Sequence, residues 1–216
     1  MAKYPIIGDV KTRLGETMGY EEATKLYICF LKDTIAKVRQ LAIPFFIYYT
    51  PENMEAEFMQ LFGEDLDYVP QSGANLGERL YNGFKVSSKI GYAAAIALAS
   101  DVPDLPASIL RVAVEKLSDY DSVLGPSSDG GYYLIGLKNQ AVTIKLFQGI
   151  NWSTETVYKE TLDVIKKERI TLYPLESWDD VDQITDLSRL YNSLNPDFHL
   201  THTWRYLKDS VPTGSV

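Results

Sequence analysis

The stretch that most restricts what this chain can become is GYAAAIALASDVPDL, running from Gly91 to Leu105. An almost unbroken apolar run, Tyr92 to Ala99, stops at Ser100-Asp101, is broken by Pro103, and gives way to a helical pattern opened by Pro106. A run buried on both faces predicts the central strand of a parallel sheet. Alanine is a poor strand former, and periodicity alone leaves a buried helix open. The abrupt polar stop and the prolines behind it favour the strand. Ligands of open α/β sheets gather beyond the carboxyl ends of the strands, so Asp101 stands where a metal-bound phosphate is expected.

The 216 residues suffice for one large core, and nothing in them reads as a linker between two domains. The expectation is one domain over 1–195 followed by a C-terminal tail over 196–216. A formal charge of -8 repels a nucleic-acid backbone, so no nucleic-acid partner is expected. Small phosphorylated ligands remain open, because one or two cations beside a divalent metal can hold them. No apolar run reaches the roughly 18 residues that cross a bilayer. The start, Met1 to Pro5, carries no export signal. The single cysteine, Cys29, excludes an internal disulfide and fits a reducing compartment, so a soluble cytoplasmic protein is expected.

The opening segment, MAKYPIIGDVKTRLG, reads as a loop punctuated by Pro5, Gly8 and Gly15. Gly8 permits close backbone approach, and Lys11 and Arg13 are cations that can neutralise a diphosphate. A solvated surface loop is the alternative. Ala23, Leu26, Tyr27, Phe30, Leu31, Ile35, Val38 and Leu41 recur at three and four, which predicts an amphipathic helix over 20–41. A strand follows over 43–49. Thr50-Pro51 reads as a helix start, with Thr50 as the cap and the helix running to about Phe62. Asn75 caps the next helix, with Glu78 reaching back as in a capping box.

Beyond a helix over 106–117 and a strand at 122–125 comes Asp129-Gly130-Gly131, feeding the aromatic strand that begins at Tyr132. The paired glycine places Asp129 on a tight turn that a substrate could approach, although Asp-Gly is also an ordinary hairpin turn. Ser153 or Thr154 can cap a helix running to about Lys167, and a strand over 169–175 follows. Asp179, Asp180 and Asp182 form an acidic cluster before a helix ending near Leu194; capping and the helix dipole alone would explain acids there. His199 and His202 lack a third ligand nearby, so no metal is assigned to them.

Six stretches, in this order and spacing, resemble a bacterial family with the GT-A (nucleotide-diphospho-sugar transferase) fold whose members are taken for glycosyltransferases, many known only as a domain of unknown function. They are GDVKTRL at 8–14, LGER at 76–79, SDVP at 100–103, Gly125-Pro126 with DGGYYLIGL at 129–137, FQGINWST at 147–154, and DVD at 180–182. The resemblance implies an α/β, Rossmann-like three-layer α/β/α sandwich with a mostly parallel central sheet. It implies Asp101 and Asp182 as ligands of Mg²⁺ or Mn²⁺, and Gly8, Lys11, Arg13 and Ser100 as the nucleotide and phosphate-binding set. Asp129 and Asp182, or Asp180 beside it, would position the acceptor hydroxyl or take its proton. Family members begin with a hydrophobic strand, whereas only Met1 to Tyr4 precede Pro5, so a shortened first strand is expected.

The implied activity is a metal-dependent transfer from a nucleotide-activated donor to a small acceptor, with a nucleotide sugar as the expected donor. The Lys-Thr-Arg-Leu loop also resembles one in guanylyltransferases that act on small phosphorylated acids, which would use a nucleoside triphosphate and release pyrophosphate. The double-glycine loop of many sugar nucleotidyltransferases is missing, which favours glycosyl transfer. A non-catalytic nucleotide-binding relict is the third reading. No G-x-G-x-x-G follows a strand, which disfavours a dinucleotide-binding enzyme.

Overall fold

The computed structural model describes residues 1–193 and 201–210, so His199 lies outside the described residues. The chain is of the expected α/β class and forms two compact units. One, rich in helices, comprises Ala2–Tyr68, Ser100–Ala107 and the described residues from Asp180 onwards. The other, built on a sheet, comprises Met1, Val69–Ala99 and Ser108–Asp179.

In the helical unit β1 (Ala2–Lys3) pairs in parallel with β2 (Phe46–Thr50), Ala2 opposite Tyr49 and Lys3 opposite Thr50. The first strand is two residues long, as short as expected. The sheet order is β1-β2-β3, and β3 (Asp67–Pro70) is where the chain leaves this unit. The long predicted helix is α2 (Tyr20–Arg39); its apolar stripe, Ala23, Leu26, Tyr27, Phe30 and Leu31, is buried. Around it a core gathers Leu14, Tyr49, Phe58, Val181, Leu187, Leu190 and Leu207. Two of these come from α7 (Ile184–Tyr191) and one from α8 (His202–Ser210). Asp33 of α2, buried, accepts hydrogen bonds from the His202 and Thr203 amides at 2.7 and 2.9 Å. A carboxylate from one helix thus satisfies the open amino end of another.

Two local expectations change here. Residues 12–18 are a helix, α1 (Thr12–Met18), rather than loop. Gly15 lies inside it because a Cβ there would stand 2.3 Å from the Tyr20 ring, so the glycine serves packing and not a break. Thr50 is a strand residue whose carbonyl accepts from the Tyr4 amide at 2.7 Å, so it cannot cap a helix. The Thr50-Pro51 peptide is cis, and α3 (Glu55–Phe62) starts only after Met54.

The organising run of the sheet unit is a strand, β4 (Ala94–Leu98), within the order β4-β6-β5-β7. It pairs antiparallel with β6 (Tyr132–Lys138), not in parallel, and is half-buried. The cause is the hairpin at Asp129: β5 (Ser122–Pro126) turns back through residues 127–131 into β6, which therefore opposes both neighbours. β5 keeps the parallel direction with β7 (Leu172–Pro174).

Asn75 caps α4 (Leu76–Ile90) as expected, its Oδ1 accepting from the Glu78 amide at 2.9 Å. Gly77 of that helix has no room for a side chain: a Cβ would lie 2.4 Å from the Phe147 carbonyl oxygen and 2.6 Å from Trp152 Nε1. The LGER and FQGINW motifs are therefore packing partners. α5 (Ala107–Lys116) follows the expected span. α6 (Val157–Lys167) begins at Thr156 with no side-chain cap from Ser153 or Thr154, because the Thr154 hydroxyl is spent on the Asn151 carbonyl and the Thr156 hydroxyl. No helix among the described residues is long and apolar enough to cross a membrane.

Candidate functional site

The candidate site lies wholly in the helical unit, where two stretches that follow strands meet the first helix. The chain leaves β4 and enters the Ser100–Ala107 segment, whose Val102 and Leu105 are buried and anchor it. Two hydrogen bonds fix its course. The Asp101 carbonyl accepts from the Val181 amide at 3.0 Å, and the Pro103 carbonyl accepts from Lys37 Nζ at 3.0 Å. The first of these bonds sets Asp101 beside the 180–182 cluster. Asp186 holds the cluster from the other side, its Oδ2 accepting from the amides of Asp182 and Gln183 at 3.1 and 2.8 Å. Helix capping is thus the work of Gln183 and Asp186, which form a capping box and leave the Asp182 side chain to other partners.

Into this angle comes Lys11. Its ammonium lies 2.9 Å from Asp101 Oδ2 and 3.5 Å from Asp182 Oδ1, and its side chain is only 6% exposed. Arg13 Nη1 reaches Asp182 Oδ2 at 3.0 Å from a side chain 65% exposed. Two cations and two carboxylates predicted from separate motifs therefore share one cluster. Burial opposes the charge on Lys11, but the Asp101 carboxylate and its hydrogen bond, then Asp182 and Asp180, outweigh it and hold the ammonium above its ordinary pKa. Burial likewise works against the Asp101 carboxylate, and Lys11 outweighs it, so this acid lies below the usual carboxylate range. Both groups are charged at neutral pH.

Lys11 adopts the left-handed conformation, φ 46° and ψ 46°, at the entry to α1. A side chain in that region costs about 1–2 kcal/mol, a strain found where surrounding contacts over-determine the backbone. Gly8 also has a positive φ, 84°, and the space where its Cβ would stand is open, so the turn and not a close contact requires the glycine. The Ser100 hydroxyl lies 3.1 Å from Tyr27 OH, which also accepts from the Lys3 amide at 3.2 Å. Asp129 belongs to the sheet unit and is exposed; its Oδ1 accepts from the Gly131 amide at 2.8 Å, closing the hairpin turn.

Sequence reasoning missed Tyr27 and Lys37. Both sit within the periodic pattern of α2, where Tyr27 reads as a core position and Lys37 as a solvated one, and neither carries a local signal of its role. Among the described residues no group of three or more His, Cys, Asp or Glu side chains could hold a metal ion. Asp101 and Asp182 offer two hard oxygen donors, which fits Mg²⁺, an ion commonly held by one or two carboxylates together with substrate phosphates.

Residues 34–154 match the family described as "uncharacterized protein conserved in bacteria (DUF2064)". The chain is similar to a crystal structure from Desulfovibrio desulfuricans G20, provisionally assigned as a nucleotide-diphospho-sugar transferase. That likeness has a TM-score of 0.93 and 34% identity, and covers 96% of this chain and 91% of the other. A 2-phospho-L-lactate guanylyltransferase of Methanocaldococcus infernus is 22% identical over 188 residues, 86% of this chain and 80% of that protein. The inositol-1-phosphate CTP transferase of T. maritima shares the fold, with a TM-score of 0.54 at 12% identity over 98% of this chain and 96% of the other.

Proposed function

We propose that this chain, which belongs to the bacterial family just described, is a transferase that takes its donor from a nucleotide-activated compound. The observation that carries this reading is the Lys11–Asp101–Asp182–Arg13 cluster, with two cations able to bind phosphate oxygens beside two carboxylates able to hold a hard cation. Lys11 supplies a compact charge in a nearly dry setting, and Arg13 a fork of donors at the rim. Together they offset the charge that builds on a departing diphosphate. Asp101 and Asp182 would hold Mg²⁺ or Mn²⁺, which when bound shares that charge as a Lewis acid. Ser100 and the Gly8 turn border the same segments and contribute a hydroxyl and backbone amides. Asp182 is the candidate within this cluster for handling the acceptor's proton, and Asp129, on the exposed hairpin turn of the sheet unit, is proposed from the resemblance alone as a residue that positions an acceptor.

The first reading is glycosyl transfer from a nucleotide-diphospho-sugar with release of a nucleoside diphosphate, supported by the 34% identical relative. The second is nucleotidyl transfer from a nucleoside triphosphate with release of pyrophosphate, favoured by the guanylyltransferase relative and by this chain's own Lys-Thr-Arg-Leu sequence at 11–14. Purified protein incubated with labelled nucleotide sugars and nucleoside triphosphates in Mn²⁺, with a pool of small hydroxy and phosphorylated acceptors, separates them. Nucleoside diphosphate release supports the first, pyrophosphate release the second. Absence of either product, with no binding of any nucleotide, contradicts both.

A further inference from the structure

Lys11 is more than a phosphate ligand in waiting, because its ammonium already occupies the ground between the two carboxylates. It stands 2.9 Å from Asp101 Oδ2 and 3.5 Å from Asp182 Oδ1. A magnesium-sized ion needs those oxygens at about 2.0–2.1 Å. The ammonium and a divalent ion cannot both sit against Asp101 without like charges a few ångströms apart in a poorly solvated place. The two carboxylates are not equal in their alternatives. Asp182 keeps Arg13 at 3.0 Å if Lys11 leaves, whereas Lys11 is the ion-pair partner of Asp101.

From these contacts we infer that Lys11 is a built-in counter-cation that bars free divalent ions from Asp101 and Asp182, and yields them only when a diphosphate offers its ammonium new oxygens. The inference rests on the reading that this cluster faces the donor's diphosphate, and it adds an order to it. Metal and nucleotide enter together, and metal alone is refused.

The test uses Mn²⁺ alone, followed by water-proton relaxation, on the full chain and on Lys11→Gln and Lys11→Met. Both variants are expected to bind Mn²⁺ roughly tenfold or more tightly than the wild type, and adding Asp101→Asn to either should remove that binding. Wild-type protein that binds Mn²⁺ alone as tightly as the variants overturns the inference, as do variants that gain nothing. Should both variants fail to fold, the wild type decides. Its Mn²⁺ affinity should rise roughly tenfold or more when inorganic pyrophosphate is present, after the metal held by free pyrophosphate is subtracted, and equal affinity overturns the inference. Failure to bind Mn²⁺ in every form, with and without pyrophosphate, removes the metal reading itself and the inference with it.

Discussion

Asp101→Asn, Lys11→Met and their combination form a cycle whose outcome follows from unequal burial. Asp101→Asn leaves the Lys11 ammonium, 6% exposed, with Asp182 at 3.5 Å as its remaining acid in direct contact. Stranding one partner of a buried pair costs roughly 3–5 kcal/mol, and the residual Asp182 contact brings the expected loss to about 2–3 kcal/mol. Lys11→Met removes the least exposed charge of the cluster and leaves an Asp101 side chain 29% exposed, which water can reach, while Asp182 retains Arg13. Its cost, chiefly repulsion between the two acids, is about 1 kcal/mol. The double variant has neither stranded charge and should also lose about 1 kcal/mol, about 2–3 kcal/mol less than the sum of the single losses. Urea unfolding at pH 7 measures this. The folded-state pKa of Asp101 is depressed, so its contribution is complete above the ordinary carboxylate value of 3.8 and is lost as pH falls through the lower folded value. Single effects that add to within about 0.5 kcal/mol would refute the picture of one coupled pair.

Gly130 and Gly8 provide a contrast in what a positive φ demands. A Cβ on Gly130 (φ 86°) would stand 2.0 Å from the Glu155 carbonyl oxygen, so Gly130→Ala should cost roughly 2–4 kcal/mol by thermal melting. Gly8→Ala, with open space, should cost about 1 kcal/mol. Burial depresses Lys37 to about 8 against the opposing pull of Asp104 and Asp33, so the folded chain releases this proton before the unfolded chain does. Stability should therefore rise between about pH 8 and 10.5 in the wild type, and that rise should vanish in Lys37→Met when both are followed by denaturant unfolding. Burial, helped by Asp33, pushes the half-buried Cys29 thiol up to about 11, so a thiol reagent at pH 8 should modify it far more slowly than free cysteine until denaturant is added.

Periodic and local signals were legible in the sequence. The three-and-four stripe gave α2 almost to its ends, Asn75 marked the start of α4, and Asp129-Gly130 marked the β5–β6 hairpin. What escaped was decided by contacts between distant residues. The hairpin makes β6 oppose β4, which an apolar run cannot reveal about its own neighbours. Gly15 reads as punctuation until Tyr20 is seen lying against it, and Thr50 reads as a cap until its carbonyl is found in a ladder with the first strand. At the site, the resemblance selected Lys11, Arg13, Asp101 and Asp182, and the fold brings all four together. That Lys11 is paired with acids rather than lying ready in a loop had no local trace, since its partner Asp101 is 90 positions away.

The most direct measurement is a crystal structure of the protein with a nucleoside diphosphate and Mn²⁺. The diphosphate oxygens are expected within hydrogen-bond distance of Lys11 and Arg13, with the metal on Asp101 and Asp182 and the Lys11–Asp101 contact opened. A diphosphate bound elsewhere while the Lys11–Asp101 pair stays closed would contradict the assignment of this cluster as the donor site.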